Sequence, residues 1–265
     1  MKYVHVNNVL MAANTPRLLA DNKAYRYGDG LFETIKVISG KPALLSYHIA
    51  RLYRGITQLQ YNMPVYFNEA WLADSIQELC IANGHNLQAR VRLSLYRGNG
   101  DIFSNPEAGI LIESYELVPE QLQHPLVIGL YTAGYKTADA FSNLKTASSL
   151  LYSMAAIYAT QHQWQDSLIL NYHQRIIETA IANIFWVKDG AVFTPPLSEG
   201  CVAGVMRQYL LDNTTITEKL CMIDTLLEAD EVFITNAIRG IRPVTAFQEK
   251  KYVSSLGLQL AAAIL

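Results

Sequence analysis

The residues from 88 to 96 alternate strictly between apolar and polar side chains. A period of two is the pattern of a β-strand that buries one face and leaves the other open. The apolar face carries Ala89, Val91, Leu93 and Leu95, and the opposite face carries Arg90, Arg92, Ser94 and Tyr96. This stretch therefore requires a sheet with a covered apolar side. Its two arginines share a face that is either the wall of a site or exposed to solvent.

Helical patterns flank this strand and predict the layer that covers it. Apolar residues recur at helical spacing after Ser46, a favourable N-cap, and a second helix is predicted over Ala70 to Ala82 behind Asn68. Other strands are predicted at Leu31 to Ile38 and, as a hairpin, over residues 3–11. The mixture of helices and strands indicates an α/β (α+β) protein.

The second half of the chain repeats this mixture. Its strongest turn signal is Asp189-Gly190, which joins the predicted strands Asn183 to Lys188 and Ala191 to Thr194. An apolar helix is predicted over Leu150 to Ala159. A polar stretch with two prolines, Glu116 to Pro125, indicates a linker between the two halves.

The composition excludes several classes of protein. Apolar residues make up 51% and charged residues 17%, which excludes disorder, and the formal net charge of −2 gives no reason to expect nucleic acid or an anionic membrane. Cys80, Cys201 and Cys221 are too far apart for a disulfide framework or a metal site. Because neither a signal peptide nor a membrane-spanning run is recognisable, we expect a soluble cytoplasmic protein.

Lys145 is the residue best suited to covalent chemistry. It lies among small and hydroxylated neighbours in residues 142–149, just before the apolar helix, whose start we expect to hold it in register. Burial disfavours a charged ammonium, and an uncharged lysine is the nucleophile of imine chemistry. Taken alone, the segment fits a lysine that only caps a packed helix better than it fits a nucleophile. Lys136, by contrast, has Asp139 nearby and is expected to form a solvated ion pair.

Three further features are compatible with a phosphate-bearing cofactor. The loop from Gly200 to Gly204 precedes a predicted helix, and such helix starts bind phosphate, although many bind nothing. Glu178 lies in apolar sequence and needs a cationic partner, either an arginine or a protonated pyridine nitrogen. Arg51 could bind phosphate with its planar fork or face solvent, and His48, one turn earlier, is expected to be half-buried.

Six features that occur in one order resemble the class IV (fold-type IV) pyridoxal-phosphate enzymes. They are Tyr27-Gly-Asp-Gly-Leu-Phe-Glu-Thr34, His48-Ile-Ala-Arg51-Leu52, Lys145, Glu178-Thr-Ala-Ile-Ala-Asn183-Ile-Phe185, Gly204-Val-Met-Arg207 and Ala229-Asp-Glu231-Val-Phe. Together they cover nearly the whole chain. The family includes branched-chain aminotransferases, D-amino acid transaminases and aminodeoxychorismate lyases.

The resemblance implies a two-domain fold around pyridoxal 5'-phosphate. An N-terminal α/β sandwich would occupy residues 1–117, a linker 118–124, and a C-terminal β-barrel-like domain with helices 125–265. The cofactor would lie between the domains. The family works as homodimers, whose partner subunit contributes to the substrate pocket, so a homodimer is expected.

The resemblance also implies a role for individual residues. Lys145 would be the Schiff-base lysine and proton carrier, and Glu178 the partner of the pyridine nitrogen. The phosphate ligands would be Arg51, the backbone of Val205 and Met206, and Asn236 or Ala237. No metal is implied.

Departures from the family patterns favour an aminodeoxychorismate lyase, which converts 4-amino-4-deoxychorismate to p-aminobenzoate and pyruvate in folate biosynthesis. Lyases tend to share Leu150, Thr34 and Asn236-Ala237, whereas branched-chain aminotransferases usually carry a tyrosine and a glycine at the first two positions. The Arg-x-His carboxylate trap of D-amino acid transaminases is missing at residues 98–103. Thr34 is therefore expected to act in catalysis, although it could equally be an ordinary strand residue.

A dianionic substrate also suits the surplus of arginines. The candidates are Arg90, Arg92, Arg97, Arg239 and Arg242, and the sequence leaves open which of them face the site. One alternative is a class IV amino-acid aminotransferase of branched-chain type that transfers an amino group to 2-oxoglutarate. Another is a degenerate member that binds a ligand without catalysis, against which the retention of Lys145, Glu178 and Arg51 argues.

Overall fold

The computed structural model describes residues 1–15, 19–118 and 125–264, and the chain forms two compact units. The first consists of Met1–Pro119 and Leu144–Ser148, and the second of Glu120–Asn143 and Ser149–Leu265. The segment Leu144–Ser148, which the predicted boundaries assign to the C-terminal domain, thus belongs to the first unit. Residues 119–124 of the predicted linker lie outside the described residues.

The first unit is an antiparallel sheet covered by helices. Its strands are β1 Tyr3–Val6, β2 Val9–Ala12, β3 Gly30–Ile38, β4 Lys41–Pro42, β5 Gln88–Arg97 and β6 Ala108–Glu116. Its helices are α1 Lys23–Tyr27, α2 Leu45–Gln58 and α3 Glu69–Asn83. The strands lie in the order β2-β1-β6-β5-β3-β4.

The alternation in β5 is confirmed and explains why the helices lie on one face of the sheet. Its four apolar residues are at most 1% exposed, and they belong to one core cluster with side chains of α2 and α3. Burying a side chain of this size contributes roughly 1.5–3 kcal/mol, so this face is strongly specified. The register is fixed with it, because a slip of one residue would turn the arginine face into the core.

The helix boundaries were predicted well except at one cap. The side chain of Asn68 accepts a hydrogen bond from the backbone N–H of Trp71 at 2.9 Å, as expected of the N-cap of α3. The predicted N-cap Ser46 is wrong. Helix α2 begins two residues earlier than this cap implies, at Leu45, behind Leu44, which has a left-handed backbone (φ 53°) and makes no side-chain cap hydrogen bond. The short helix α1 was not predicted.

The second unit is built on a branched mixed sheet. Its strands are β7 Val127–Leu130, β8 Asp166–Leu170, β9 Ile176–Thr179, β10 Asn183–Lys188, β11 Ala191–Thr194, β12 Ile216–Glu218, β13 Glu231–Asn236, β14 Gly240–Pro243, β15 Ala246–Phe247 and β16 Lys250–Lys251. Its helices are α4 Leu150–Gln161, α5 Val205–Asn213, α6 Ile223–Leu227 and α7 Leu256–Ile264, and a single 3-10 turn covers Leu197–Glu199. The main strand order is β12-β11-β10-β9-β8-β7-β15-β16.

The branch in this sheet lies at β10, which pairs with β9, β11 and β13. Asn183, the first residue of β10, is opposite both Glu178 of β9 and Thr235 of β13. The branch therefore places Glu178 and Thr235 on either side of Asn183, although Thr235 comes from a distant part of the sequence. The predicted hairpin of β10 and β11 on Asp189-Gly190 is confirmed, with positive φ at both turn residues.

The helices in the described ranges include none that is both long and apolar enough to cross a membrane.

Candidate active site

Lys145 lies in an extended segment that pairs with the edge of strand β3. The N–H of Phe32 donates to the carbonyl of Lys145 at 3.0 Å, and the N–H of Ala147 donates to the carbonyl of Gly30 at 2.8 Å. Helix α4 begins only at Leu150. The expectation that the start of this helix holds the lysine is thus wrong, because the backbone pairing with β3 sets its position.

The open face of the first sheet brings two predicted site residues beside Lys145. The Nζ atom of Lys145 lies 4.3 Å from the centre of the Phe32 ring, and Cζ of Arg92 lies 4.1 Å from the same centre. Thr34, two residues after Phe32, is directly opposite Arg92 in the pairing of β3 with β5. Residues opposite each other in an antiparallel pair share a face. Phe32, Thr34 and Arg92 therefore form one patch on which Lys145 lies.

Arg92 is only partly exposed, and its surroundings perturb its charge. Burial lowers the pKa of Arg92, while the carboxylate of Glu113 acts in the opposite direction. Glu113 lies directly opposite Arg92 on strand β6 and accepts a hydrogen bond from the hydroxyl of Tyr115 at 2.8 Å. The face thus contains both a cation and an acid, and Arg92 is the arginine that lies nearest to the lysine patch by register.

The other predicted arginines lie in different settings. Arg90 is exposed, and its Cζ lies 4.9 Å from the centre of the Tyr115 ring. Arg97 donates to Asp29 at 2.9 Å, to the carbonyl of Leu59 at 2.7 Å, and to Asn105. These contacts tie Arg97 to the neighbouring loops. In the second unit, Arg239 is exposed in the turn between β13 and β14, and Arg242 is half-buried on β14.

Arg51 is buried against a carboxylate. Its Nε donates to Oε1 of Glu33 at 2.8 Å, and its Nη2 donates to Oε2 of the same residue. His48 is almost fully buried, not half-buried as predicted, and its Nδ1 lies 2.6 Å from Oε2 of Glu33. Burial by itself raises the pKa of Glu33, but the charge of Arg51 and the hydrogen bonds from His48 and Arg51 hold it at about 2. Glu33, Arg51 and Lys145 line the same small cavity.

Glu178 is the centre of a second buried cluster. Its Oε1 accepts hydrogen bonds from Nζ of Lys136 at 2.7 Å and from the hydroxyl of Tyr152 at 2.8 Å, and its Oε2 accepts from the backbone N–H of Val202 at 2.9 Å. Burial, followed by the charge of Glu178, raises the pKa of Tyr152, so its hydroxyl remains a donor. Glu178 therefore has the cationic partner that its apolar sequence required, although that partner is a lysine.

The predicted solvated pair of Lys136 with Asp139 is wrong. Lys136 is only 9% exposed and forms its ion pair with Glu178. Asp139 instead accepts from Thr137, from Ser142 and from the backbone N–H of Phe141, which are the local bonds of a turn. Sequence proximity suggested the wrong partner, because a short acidic side chain is readily taken up by its own turn.

The glycine loop and the start of α5 form a polar corner beside this cluster. Gly204 is the N-cap of α5, and a Cβ atom built on it would lie 1.8 Å from Oδ1 of Asn183. The backbone therefore approaches β10 as closely as only glycine permits. The predicted ligands Val205 and Met206 are the first two residues of the helix, where backbone N–H groups have no partner within the helix.

Thr235 is a residue at this corner that the sequence reasoning missed. Its hydroxyl is buried and has no hydrogen-bond partner among the described residues. It lies opposite Asn183, so its side chain projects from the same face of the sheet as the one that contacts Gly204. The next residue, the predicted ligand Asn236, accepts from the N–H groups of Ile238 and Arg239, which shapes the turn that contains Ala237. Only the uncommon burial of a threonine hydroxyl marks Thr235, and burial is not visible in the sequence.

The comparisons with known proteins agree on the family. Residues 30–247 match the family described as amino-transferase class IV. The aminodeoxychorismate lyase of Bacillus subtilis (strain 168) is 27% identical over 96% of this chain and 89% of its own length. The D-alanine aminotransferase of Bacillus licheniformis is 26% identical over 91% of this chain and 86% of its own length. A branched-chain aminotransferase from Thermoproteus uzoniensis has the same fold, with a TM-score of 0.89 at 20% identity over 99% of this chain and 93% of its own.

The fold and the family match together identify a pyridoxal-phosphate-dependent enzyme of fold-type IV. The chain belongs to the class IV aminotransferase family. The similar proteins carry the names of different activities at nearly equal identity, so similarity alone does not select one of them.

The residues of the second unit fit the cofactor by a simple count. An ionised carboxylate offers about four acceptor positions, and three donors from the described residues contact Glu178. One further donor, such as a protonated ring nitrogen, can therefore be accepted. The start of α5 and the unsatisfied Thr235 hydroxyl supply donors of the kind that a phosphate requires. Among the residues described, no group of acidic, histidine and cysteine side chains could hold a metal ion.

The contrast between the two lysines leads to a first prediction. Lys136 is held as a cation by Glu178, whereas Lys145 lies against the Phe32 ring beside a cavity. Borohydride reduction of the cofactor-loaded protein should therefore leave the cofactor attached to Lys145, which peptide mapping by mass spectrometry would locate. A Lys136→Met variant serves as the control and should be labelled at the same peptide. A cofactor adduct on Lys136 would contradict the assignment.

Proposed function

We propose that the chain is a lyase that converts 4-amino-4-deoxychorismate to p-aminobenzoate and pyruvate. The observation that carries the proposal is the patch beside Lys145, in which Arg92 lies over the same aromatic ring and Thr34 is its direct neighbour across the strands. A cation suits a carboxylate of the substrate, and a hydroxyl suits a second proton transfer. The B. subtilis relative, which carries the name of this activity, supports the same choice.

Lys145 and Glu178 have separate roles in this reaction. Pyridoxal phosphate, when bound, supplies an electron sink for the electrons that remain when the bond from the amino-bearing carbon to hydrogen breaks. Lys145 would hold the cofactor and would take up that proton. Glu178 would hold the ring nitrogen in its protonated form, and its own orientation is fixed by hydrogen bonds from Lys136 and Tyr152. Holding these groups in place before the reaction lowers its barrier.

The remaining residues bind the two ends of the ligands. Arg51, the N–H groups of Val205 and Met206, and the turn at Asn236 and Ala237 bind the phosphate. Among the arginines, Arg92 binds a substrate carboxylate, and Arg90, on the same face of β5, extends the positive surface for the second carboxylate. The roles proposed for Arg97 and Arg239 are substrate contacts at the edge of the site.

Three properties that accompany this activity are also proposed. The protein acts as a homodimer, it is located in the cytoplasm, and its product feeds folate biosynthesis. Size-exclusion chromatography with light scattering tests the first of these directly.

The activity can be tested against its alternatives in one set of assays. Purified holoenzyme is offered 4-amino-4-deoxychorismate alone, and separately a panel of D- and L-amino acids with 2-oxoglutarate. We expect p-aminobenzoate and pyruvate in equal amounts in the first assay. Glutamate in the second assay without p-aminobenzoate in the first would make the protein an aminotransferase. A colourless protein that does not take up the cofactor would make it a degenerate binding protein.

Removal of the Glu178 charge should reduce turnover far more than cofactor affinity. The phosphate ligands supply much of the binding, whereas Glu178 stabilises charge that develops only during the reaction. Glu178→Gln should therefore stay yellow and turn over slowly in steady-state assays. Glu199→Gln is a matched control, because Glu199 is also a buried acid, paired with Arg175, in the same unit.

Glu178→Gln also leaves Lys136 without its counter-ion, and an unpaired buried charge lowers activity by disturbing the structure. The double variant Glu178→Gln with Lys136→Met removes both charges and separates the two effects. If the double variant regains normal turnover, Glu178 acts only as a structural partner and its catalytic role is wrong.

Thr34 should matter more for elimination than for transamination. Both reactions remove a proton through Lys145, but only the lyase must also deliver a proton as pyruvate is expelled. Thr34→Val keeps the β-branched shape and deletes the hydroxyl, so p-aminobenzoate formation should fall by roughly the hundredfold typical of a lost proton-transfer group. Half-transamination with a simple amino acid, followed by cofactor absorbance, should change much less. Equal losses in both reactions, or none in either, would exclude Thr34 from the mechanism.

A further inference from the structure

Glu33 is the centre of a charge cluster buried within the first unit. It is 1% exposed and accepts two hydrogen bonds from Arg51, and its Oε2 also faces Nδ1 of His48. Arg51 and His48 are 7% and 1% exposed. The other ring nitrogen of His48, Nε2, has no partner among the described residues, so its contact with Glu33 is the one that orients the imidazole.

Stability alone is a poor explanation for such a cluster. The desolvation of buried charges offsets most of their attraction, and apolar replacements of similar volume are often as stable. The strand residues on either side of Glu33 on the same face, Leu31 and Ile35, belong to the apolar core. An apolar residue at position 33 would continue this pattern. The carboxylate of Glu33 therefore serves to orient the guanidinium of Arg51.

The geometry of the guanidinium shows what this orientation achieves. Glu33 takes the edge formed by Nε and Nη2, and two parallel hydrogen bonds fix the plane of the group. The Nη1 group is on the other edge and therefore points in one defined direction. Glu33, Arg51 and Lys145 are all among the residues that line one small cavity, so the guanidinium lies close to the segment that carries the lysine.

We propose that Glu33 and His48 are positioning residues for the cofactor phosphate. Glu33 holds the guanidinium of Arg51 in the orientation that binds the phosphate, and His48 holds Glu33. Neither residue contacts the phosphate itself. The proposal rests on the role of Arg51 as a phosphate ligand, which belongs to the proposed function.

The test compares two cofactor forms that differ only in the phosphate. Full-length apoprotein is titrated with pyridoxal phosphate and with pyridoxal, and binding is followed by absorbance. In Arg51→Met and in Glu33→Gln, affinity for pyridoxal phosphate should fall by roughly tenfold or more, the size expected for a lost charge-assisted bond. The affinity of these variants for pyridoxal should stay within about twofold of that of the unsubstituted protein, because pyridoxal has no phosphate to bind Arg51. Glu113→Gln, an acid on the open face of the same sheet, is the control and should change neither.

A double variant separates positioning from a general loss of structure. Glu33→Gln in the Arg51→Met background should cause no further loss for pyridoxal phosphate, because the residue it positions is already gone. If Glu33→Gln weakens both cofactor forms equally, or if the two substitutions are additive, the positioning role is overturned. If Arg51→Met leaves the ratio of the two affinities unchanged, the phosphate role of Arg51 fails and the proposal falls with it.

His48 provides an independent pair of variants should Glu33→Gln fold poorly. His48→Asn retains a donor near the position of Nδ1, and His48→Leu removes it. We expect the asparagine variant to keep most of the preference for pyridoxal phosphate over pyridoxal and the leucine variant to lose it. Retention of the full preference by the leucine variant would exclude His48 from the cluster's function.

Discussion

The pairing of the Lys145 segment with strand β3 is the constraint on which the arrangement of the first unit depends. Two backbone hydrogen bonds fix the lysine beside Phe32, and through the strand register they also fix it beside Thr34 and Arg92. Because the lysine side chain is long and flexible, its backbone must be held rigidly if the side-chain nitrogen is to exchange bonds and protons at one position. Backbone pairing supplies that rigidity through main-chain atoms alone.

Two buried carboxylates, Glu33 and Glu178, each fix the positions of several polar side chains. Glu33 is clamped by Arg51 and His48, and Glu178 by Lys136, Tyr152 and the N–H of Val202. A buried charge is tolerated only where partners surround it, so each carboxylate fixes the side chains around it. Each cluster therefore acts as a rigid frame: the first holds the guanidinium of Arg51, and the second holds the carboxylate of Glu178.

Local structure could be predicted from the sequence, and partner choice could not. The hairpin on Asp189-Gly190 and the cap at Asn68 follow from backbone chemistry within a few residues, and both were predicted correctly. The candidate residues came from the family resemblance, which names positions but not contacts. The bonds of Glu33 to Arg51 and of Glu178 to Lys136 join residues 18 and 42 positions apart, and no local pattern encodes them.

The failure at Lys136 shows why proximity in sequence misleads for charged residues. Asp139 is near, but the hydroxyl and N–H groups of its own turn satisfy it at almost no cost in chain entropy. Lys136 is left to Glu178, which the sheet brings to it, because the cation nearest to Glu178 in sequence, Arg175, pairs instead with Glu199. Lys136, which Asp139 does not pair with, thus becomes the counter-ion of Glu178. The fold, and not the local sequence, decides which acid pairs with Lys136.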